Sequence, residues 1–407
     1  MFDSNTGRDT LKRTNMLKLV QSAFYKEQEA RNLLAKFIQK GAQLSYGPEC
    51  QAFEQAFAEW QGSKHAVMMS SGSTANFALV QALMHTGHLK KGDKVGFSSV
   101  TWPTNILPLI QLGLKSVPID VNLKTLNISP ETLTNTLKKH KLKAVFLTHV
   151  LGLCDDMEKI AKICKKEKVL IFEDTCESLG TVFQGKKLGS FGIAGTFSFF
   201  IGHHMSTIEG GMVVTNDNNV ARELKIIRSH GWDRHLSLAE QKKLRTEHGV
   251  DDFYAMYTFY NLGNNFRPTE VSGFLGKQQL KYANTIVSKR AKNFQLLAKA
   301  INSRPDLYYP LETNHIDTVS NFAFPLVAKS KAIQQTIIER AEGKVEIRPL
   351  IAGNIVRQPF YKIHGSVHTT LPNADIIHHQ GIYFGNNPDL TKEDIKILID
   401  VFTNFTA

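Results

Sequence analysis

The chain has 407 residues, 42% hydrophobic and 21% charged, the balance of a folded globular protein too long for one ordinary core. No run of about 18 apolar residues could span a bilayer, and Met1 to Val20 lacks an apolar signal core, so a cytoplasmic protein without a membrane partner is expected. The net charge of +12 is spread over short lysine groups (Lys90-Lys91, Lys138 to Lys143, Lys165 to Lys168) that read as solvated helix ends and turns; this argues against a nucleic-acid partner and suits capture of a phosphate-rich small substrate.

In chain order, residues 1–45 read as an N-terminal helical arm. From Lys64 to Asp217, short β-rich runs alternate with helix-like stretches: His65 to Met69, Lys94 to Ser98, Lys115 to Val121, Ala144 to Val150, Val169 to Glu173, Thr196 to Phe200 and Met212 to Thr215. That rhythm predicts a mostly parallel sheet with helices on both faces, forming a large α/β domain over residues 46–287. A long helix is expected over Val220 to Ser229, followed by a polar segment, Gly231 to Asn265, too long for a plain connection and so expected to serve a site or an interface. Residues 288–407 read as a smaller α+β domain with helices Arg290 to Asn302, Ser330 to Ala341 and Lys392 to Phe402, and strands around Asn321 to Val327 and Val345 to Pro349.

Three stretches carry chemistry. Ser70-Ser-Gly-Ser-Thr-Ala-Asn76 joins a strand to a helix, so Gly72, Ser73 and Thr74 can offer N–H and hydroxyl groups to a phosphate, or simply cap the helix. Asp174 ends the run Val169-Leu-Ile-Phe-Glu-Asp174, at the carboxyl edge of the sheet where open α/β folds bind ligands; a carboxylate buried there needs a cation, although a capping or salt-bridged aspartate would read the same way. Histidines 203 and 204 lie between Ser198-Phe-Phe200 and the turn Glu209-Gly-Gly211. Alone, the pair fits a proton-transfer site, a packed loop, a metal pair or a disabled enzyme. Cys50, Cys154, Cys164 and Cys176 lack the close pairing of zinc or redox sites and read as free buried thiols, and no metal is expected.

These motifs occur in order with Ser99-Val-Thr-Trp-Pro103, Phe172-Glu-Asp-Thr-Cys-Glu-Ser-Leu-Gly180, Arg228-Ser-His-Gly-Trp232 and Gly263-Asn-Asn-Phe-Arg-Pro268. The chain thereby resembles the DegT/DnrJ/EryC1/StrS sugar aminotransferase superfamily over roughly residues 35–405, and within it a histidine-bearing branch similar to GDP-4-keto-6-deoxymannose 3-dehydratase. The resemblance implies the pyridoxal-phosphate (PLP) fold of aspartate aminotransferase, fold type I. It makes Gly72, Ser73 and Ser198 phosphate ligands, stacks Trp102 on the pyridine ring and sets Asp174 against the ring nitrogen. The family lysine stands six residues before the Glu of the Glu-Gly-Gly turn, which here is His203. Imidazole forms no stable Schiff base but transfers protons near neutral pH. Glu177 stands where the aminotransferases commonly have Gln, so two substitutions point to dehydration.

By the same resemblance, Asn265 reaches the phosphate of a neighbouring subunit, implying a homodimer with shared active sites. His230, Arg234, Arg348 and Asn354 match nucleotide-sugar contacts, although His230 also suits a helix C-terminus, and Arg348 and Asn354 suit small-domain structure. The implied reaction uses pyridoxamine 5′-phosphate (PMP) to remove the C3 hydroxyl of a nucleotide-linked 4-keto-6-deoxyhexose, with His203 as base and glutamate as amino donor. A nucleotide-sugar 4-aminotransferase and a cofactor-binding pseudoenzyme are the alternatives. Leu153-Cys-Asp-Asp156 departs from the Asn-Pro-type sequence of the dehydratase, which bears on the substrate. A related CDP-sugar dehydrase carries an iron–sulfur cluster on four clustered cysteines, whereas this chain has no Cys after Cys176.

Overall fold

The computed structural model describes residues 16–40 and 43–406. Seven strands form the main sheet: β1 (His65–Met69), β2 (Lys94–Ser98), β3 (Lys115–Ile119), β4 (Ala144–Thr148), β5 (Leu170–Asp174), β8 (Ala194–Ser198) and β9 (Gly211–Thr215); β6 (Val182–Phe183) and β7 (Lys186–Lys187) make a separate small hairpin. The order is β1-β9-β8-β5-β4-β2-β3, parallel from β8 to β3, with β9 antiparallel to both neighbours. The all-buried pattern of β4, β8 and β9 reflects helices covering both faces, which is why these strands read as apolar runs.

A smaller antiparallel sheet, β10 (Ala323–Val327), β11 (Ile347–Pro349) and β12 (Gly381–Gly385), has β12 in its centre. It is backed by the helices Lys331–Ala341, Pro372–Gln380 and Lys392–Thr403, while the long helix Ala283–Asn302 runs between the sheets. One apolar cluster is continuous from Val117 and Val145 under the main sheet to Phe324 and Phe402 under the small one. A second gathers Phe53, Phe57, Phe197 and Phe199, with the Phe57 and Phe197 rings edge to face at 5.1 Å. Burying each such ring stabilises the fold by about 2–3 kcal/mol.

Local chemistry sets the element ends. Asp217 accepts from the N–H groups of Asn219 and Val220 and starts the helix Asn218–Ile227, two residues before its expected start. Lys165 and Lys166 lie in the last turn of Met157–Glu167, where cations oppose the helix dipole, and Lys168 takes the left-handed cap.

The sequence reading needs two corrections. The described part of the expected helical arm is helical only at Glu27–Gln39; Leu17 is extended and pairs with Val345, and residues 1–15 lie outside the described region. The segment expected as polar connection, Gly231 to Asn265, holds the helix Leu238–His248, opened by a capping box between Ser237 and Glu240. At the departure Leu153 to Asp156, Asp155 accepts from Thr125 at 2.7 Å, and Asp156 caps the helix that follows. Among the described residues no helix is long and apolar enough to cross a membrane.

Candidate active site

A cleft of about 380 Å³ opens at the carboxyl ends of the parallel strands, the side where open α/β sheets bind ligands. Its floor comes from five strand ends, with Thr148 closing β4 among them. The turn after β1 gives Ser71, Gly72 and Ser73; the segment after β2 gives Trp102, Thr104 and Asn105; β5 and its turn give Asp174, Cys176 and Glu177; and β8 and its loop give Ser198, Phe200 and His203.

Gly72 and Ser73 open the helix Gly72–His85, whose first N–H groups have no carbonyl one turn back. The Ser71 hydroxyl is used by the Thr74 N–H, and the Thr74 hydroxyl by the Ser71 N–H, a capping box worth about 1 kcal/mol. Thr74 therefore serves the helix and is not among the cleft-lining residues. Glycine is required at 72 because a Cβ there would lie 2.7 Å from that of Ser198.

Asp174 is 5% exposed and its carboxylate accepts only from neutral donors: Asn76 Nδ2 (2.9 Å) and Asn105 Nδ2 (2.8 Å) on Oδ2, and the Cys176 N–H (2.9 Å) on Oδ1. The Asn76 amide is oriented in turn by the Thr196 hydroxyl. Strand alternation sends the preceding Glu173 to the opposite face, where it binds His149 and the N–H groups of Gly189, Phe191 and Gly192. Asp174 is in no ion pair among the described residues, so a buried anion faces the cleft without its cation. That donor set, the glycine-lined helix N-terminus and the indole of Trp102, 55% exposed over the cleft, fit a pyridine-phosphate cofactor.

His203 lies across the floor from Asp174. Its Nδ1–H donates to the Cys176 carbonyl at 2.8 Å, which fixes the tautomer and leaves the Nε2 lone pair without a partner among the described residues. Burial pushes the imidazole down to about 4, opposed by the Cys176 carbonyl and the Asp174 charge, so the ring is a neutral base at pH 7. Glu177 is pushed the other way, up to about 8, by burial, opposed by the Leu151 N–H at 2.9 Å and reinforced by the Asp174 charge.

In one chain, the other expected residues lie away from this floor. Asn265 is exposed, paired with Ser229 in a β-bridge, and its side chain accepts from the Arg267 N–H. His230 is exposed just past the helix Asn218–Ile227 at φ 61, and exposed Arg234 stacks on Trp232 at 3.9 Å. Arg348 lies on β11 opposite Tyr383, a cleft residue, and is paired with Glu346. Asn354 is 2% exposed and consumed by Asp375 Oδ1 (2.9 Å) and the Val356 N–H, so its side chain is a cap for the turn that follows. Cleft residues that sequence reasoning missed include Leu19, Val20, Thr104, Asn105, Thr148, Phe322, Ile351 and Tyr383. Thr104 and Asn105 had a local signal, two and three residues beyond Trp102.

The DegT/DnrJ/EryC1/StrS aminotransferase family profile matches residues 25–403, and the chain belongs to that family. It is 35% identical over 369 residues, 88% of this chain and 91% of the relative, to GDP-4-keto-6-deoxy-D-mannose 3-dehydratase of Yersinia pseudotuberculosis. The fold superposes with a TM-score of 0.85 and 31% identity on the Escherichia coli GDP-4-keto-6-deoxy-D-mannose 3-dehydratase with bound hydrated PLP, covering 95% of this chain and 100% of that one. A GDP-4-keto-6-deoxymannose 3-dehydratase structure with a trapped PLP–glutamate geminal diamine matches with the same TM-score, identity and coverage. The architecture is that of the PLP aminotransferases.

The opposed shifts of His203 and Glu177 give a pH prediction for turnover. Glu177 is protonated below about pH 8 in the free enzyme, so kcat/KM is expected to fall above that pH as it ionises. Glu177→Gln cannot ionise and should remove this basic limb while leaving the acid limb of His203 in place. A basic limb unchanged in the Gln variant would assign it to another group.

Proposed function

We propose that the chain is a PLP/PMP-dependent 3-dehydratase that removes the C3 hydroxyl of a nucleotide-linked 4-keto-6-deoxyhexose, with GDP-4-keto-6-deoxymannose the leading candidate, to give a 4-keto-3,6-dideoxy sugar for deoxysugar and O-antigen synthesis. Glutamate is the proposed amino donor. The observation that carries this reading is His203, a cleft-lining neutral imidazole with Nδ1–H tied to Cys176 and Nε2 unpaired among the described residues. No lysine lines the cleft among the described residues, which weighs against the aminotransferase alternative, and an intact set of polar residues weighs against a pseudoenzyme.

The bound cofactor would supply an amine for condensation with the C4 ketone and an electron-withdrawing ring. Gly72, Ser73 and Ser198 would hold its phosphate, Trp102 would cover one ring face, and Asp174 would pair with the ring nitrogen. His203 Nε2 would take the proton beside the ring and return one to the departing C3 hydroxyl, a double role one imidazole can fill when both groups lie within its hydrogen-bond reach. Glu177, neutral at pH 7, would donate a hydrogen bond near the ring hydroxyl. Arg348, opposite the cleft residue Tyr383, would offer its planar fork to the diphosphate. The test is purified protein with PLP, glutamate and GDP-4-keto-6-deoxymannose: ammonia and a sugar product lacking one hydroxyl are expected. An amino-sugar product without ammonia would instead establish transamination.

We further propose a homodimer with shared sites. Asn265, His230 and Arg234 lie in the same chain segment as Phe253, Tyr257, Phe259 and Leu262, each at least 55% exposed, and Arg234, Tyr257 and Phe259 all pack on Trp232; a second copy would cover these side chains. Mixing Asn265→Ala with His203→Asn protein should regenerate roughly a quarter of wild-type activity after random exchange, because one site in each two-fold heterodimer then holds both intact residues. No recovery, with exchange shown independently, would mean each site is built from one chain.

A further inference from the structure

Phe322 lines the cleft but has no part in the chemistry above. It sits at the entry to β10, on the small sheet, and is 9% exposed. Its ring lies face to face with the His203 imidazole, centroids 5.0 Å apart and planes within 17°. His204 and Tyr383 meet the same ring edge-on, at 6.3 and 6.5 Å, so the phenyl plane is itself held from two sides.

The backbone beneath it is clamped as firmly. The Phe322 carbonyl accepts from the Asn386 N–H at 2.8 Å and from Arg290 at 3.4 Å. The Asn386 side-chain amide donates to Asn321 Oδ1 at 2.7 Å, and the Arg290 guanidinium also reaches the Asn386 carbonyl. Arg290 is 5% exposed, and these carbonyls are its partners in place of a carboxylate.

A ring held by one hydrogen bond at Nδ1 can still swivel about that bond, sweeping the Nε2 lone pair through an arc. A flat surface stacked on the ring removes that freedom. We infer that Phe322 is a positioning residue for His203: the Cys176 carbonyl selects the tautomer, and the phenyl face, delivered by the other sheet, sets the plane in which Nε2 points. The inference rests on the reading of His203 as the base. The phenyl ring also keeps water off one imidazole face, while the charged and titratable groups about His203 and its cleft are Asp174, Arg290, Glu177, Cys176, His204, Glu209 and Tyr383.

Phe322→Leu removes the flat face and keeps an apolar side chain. In the PLP-loaded enzyme, kcat should fall about 100-fold, the scale of a misaligned reacting group, with KM for the nucleotide sugar and the cofactor absorbance spectrum unchanged. Water reaching the ring should raise the His203 midpoint from about 4 toward its ordinary value, read by NMR of the labelled imidazole, and the acid limb of kcat/KM should rise with it. Phe322→Tyr keeps the face and should stay within about threefold of wild type. Should Phe322→Leu be recovered unfolded, Phe322→Met is read in the same way. A Leu variant within threefold of wild type in kcat, or a Tyr variant as impaired as Leu, would overturn the inference. The NMR arm separates the two readings: an unmoved His203 midpoint refutes positioning, whereas a moved midpoint with the Cys176-selected tautomer kept, in a protein that releases no ammonia, upholds positioning and removes the dehydratase assignment.

Discussion

His203→Asn should lower ammonia release by between about 100- and 10,000-fold, the range for loss of a positioned acid–base group, while cofactor affinity stays within a few-fold of wild type. The two effects separate because the groups that would hold the cofactor, on the turns after β1, β2 and β5 and at the end of β8, do not depend on the imidazole. Asparagine can keep the hydrogen bond made at residue 203, since its amide can donate to the Cys176 carbonyl as Nδ1–H now does. What it loses is the Nε2 lone pair. Rate is read from ammonia release with saturating glutamate, and affinity from the absorbance of the cofactor on titration. A variant that turns over at the native rate would move the base elsewhere in the cleft.

The sheet was legible because parallel strands buried on both faces are apolar runs, and β1 and β2 begin and end where the sequence placed them. β12 was not: Gly381-Ile-Tyr-Phe-Gly385 follows the helix Pro372–Gln380 with no turn residues between, and glycine at both ends reads as loop. In the site, residues within a few positions of a strand end could be placed from sequence: Gly72, Trp102, Asp174, Glu177 and His203. Those delivered from a distance could not. Leu19 and Val20 reach the cleft because Leu17 pairs with Val345 and the Leu19 N–H donates to Glu346, while Phe322 and Tyr383 arrive on the small sheet. Asn354 shows the converse, a motif position whose side chain the fold uses as a cap.

Asp174→Asn tests the other half of the chemistry, and its cost is expected to divide between folding and rate. The carboxylate is acceptor-only and meets three N–H donors, so an amide must turn its own NH2 toward at least one of them. That mismatch should cost about 1–3 kcal/mol in stability, visible as a lowered melting temperature of a protein that still folds. The catalytic loss should be larger. A neutral amide cannot keep the cofactor's ring nitrogen protonated, and losing an ion pair worth a few kcal/mol in the transition state lowers the rate roughly 100-fold or more. Neither Asn76 nor Asn105 can replace the charge, since both are neutral amides already spent on orienting Asp174. Melting curves with and without PLP give the first cost, and ammonia release at saturating glutamate and nucleotide sugar gives the second. An Asp174→Asn enzyme that melts lower yet turns over within about threefold of wild type would assign Asp174 to the architecture of the cleft floor and leave the ring nitrogen without its counter-ion.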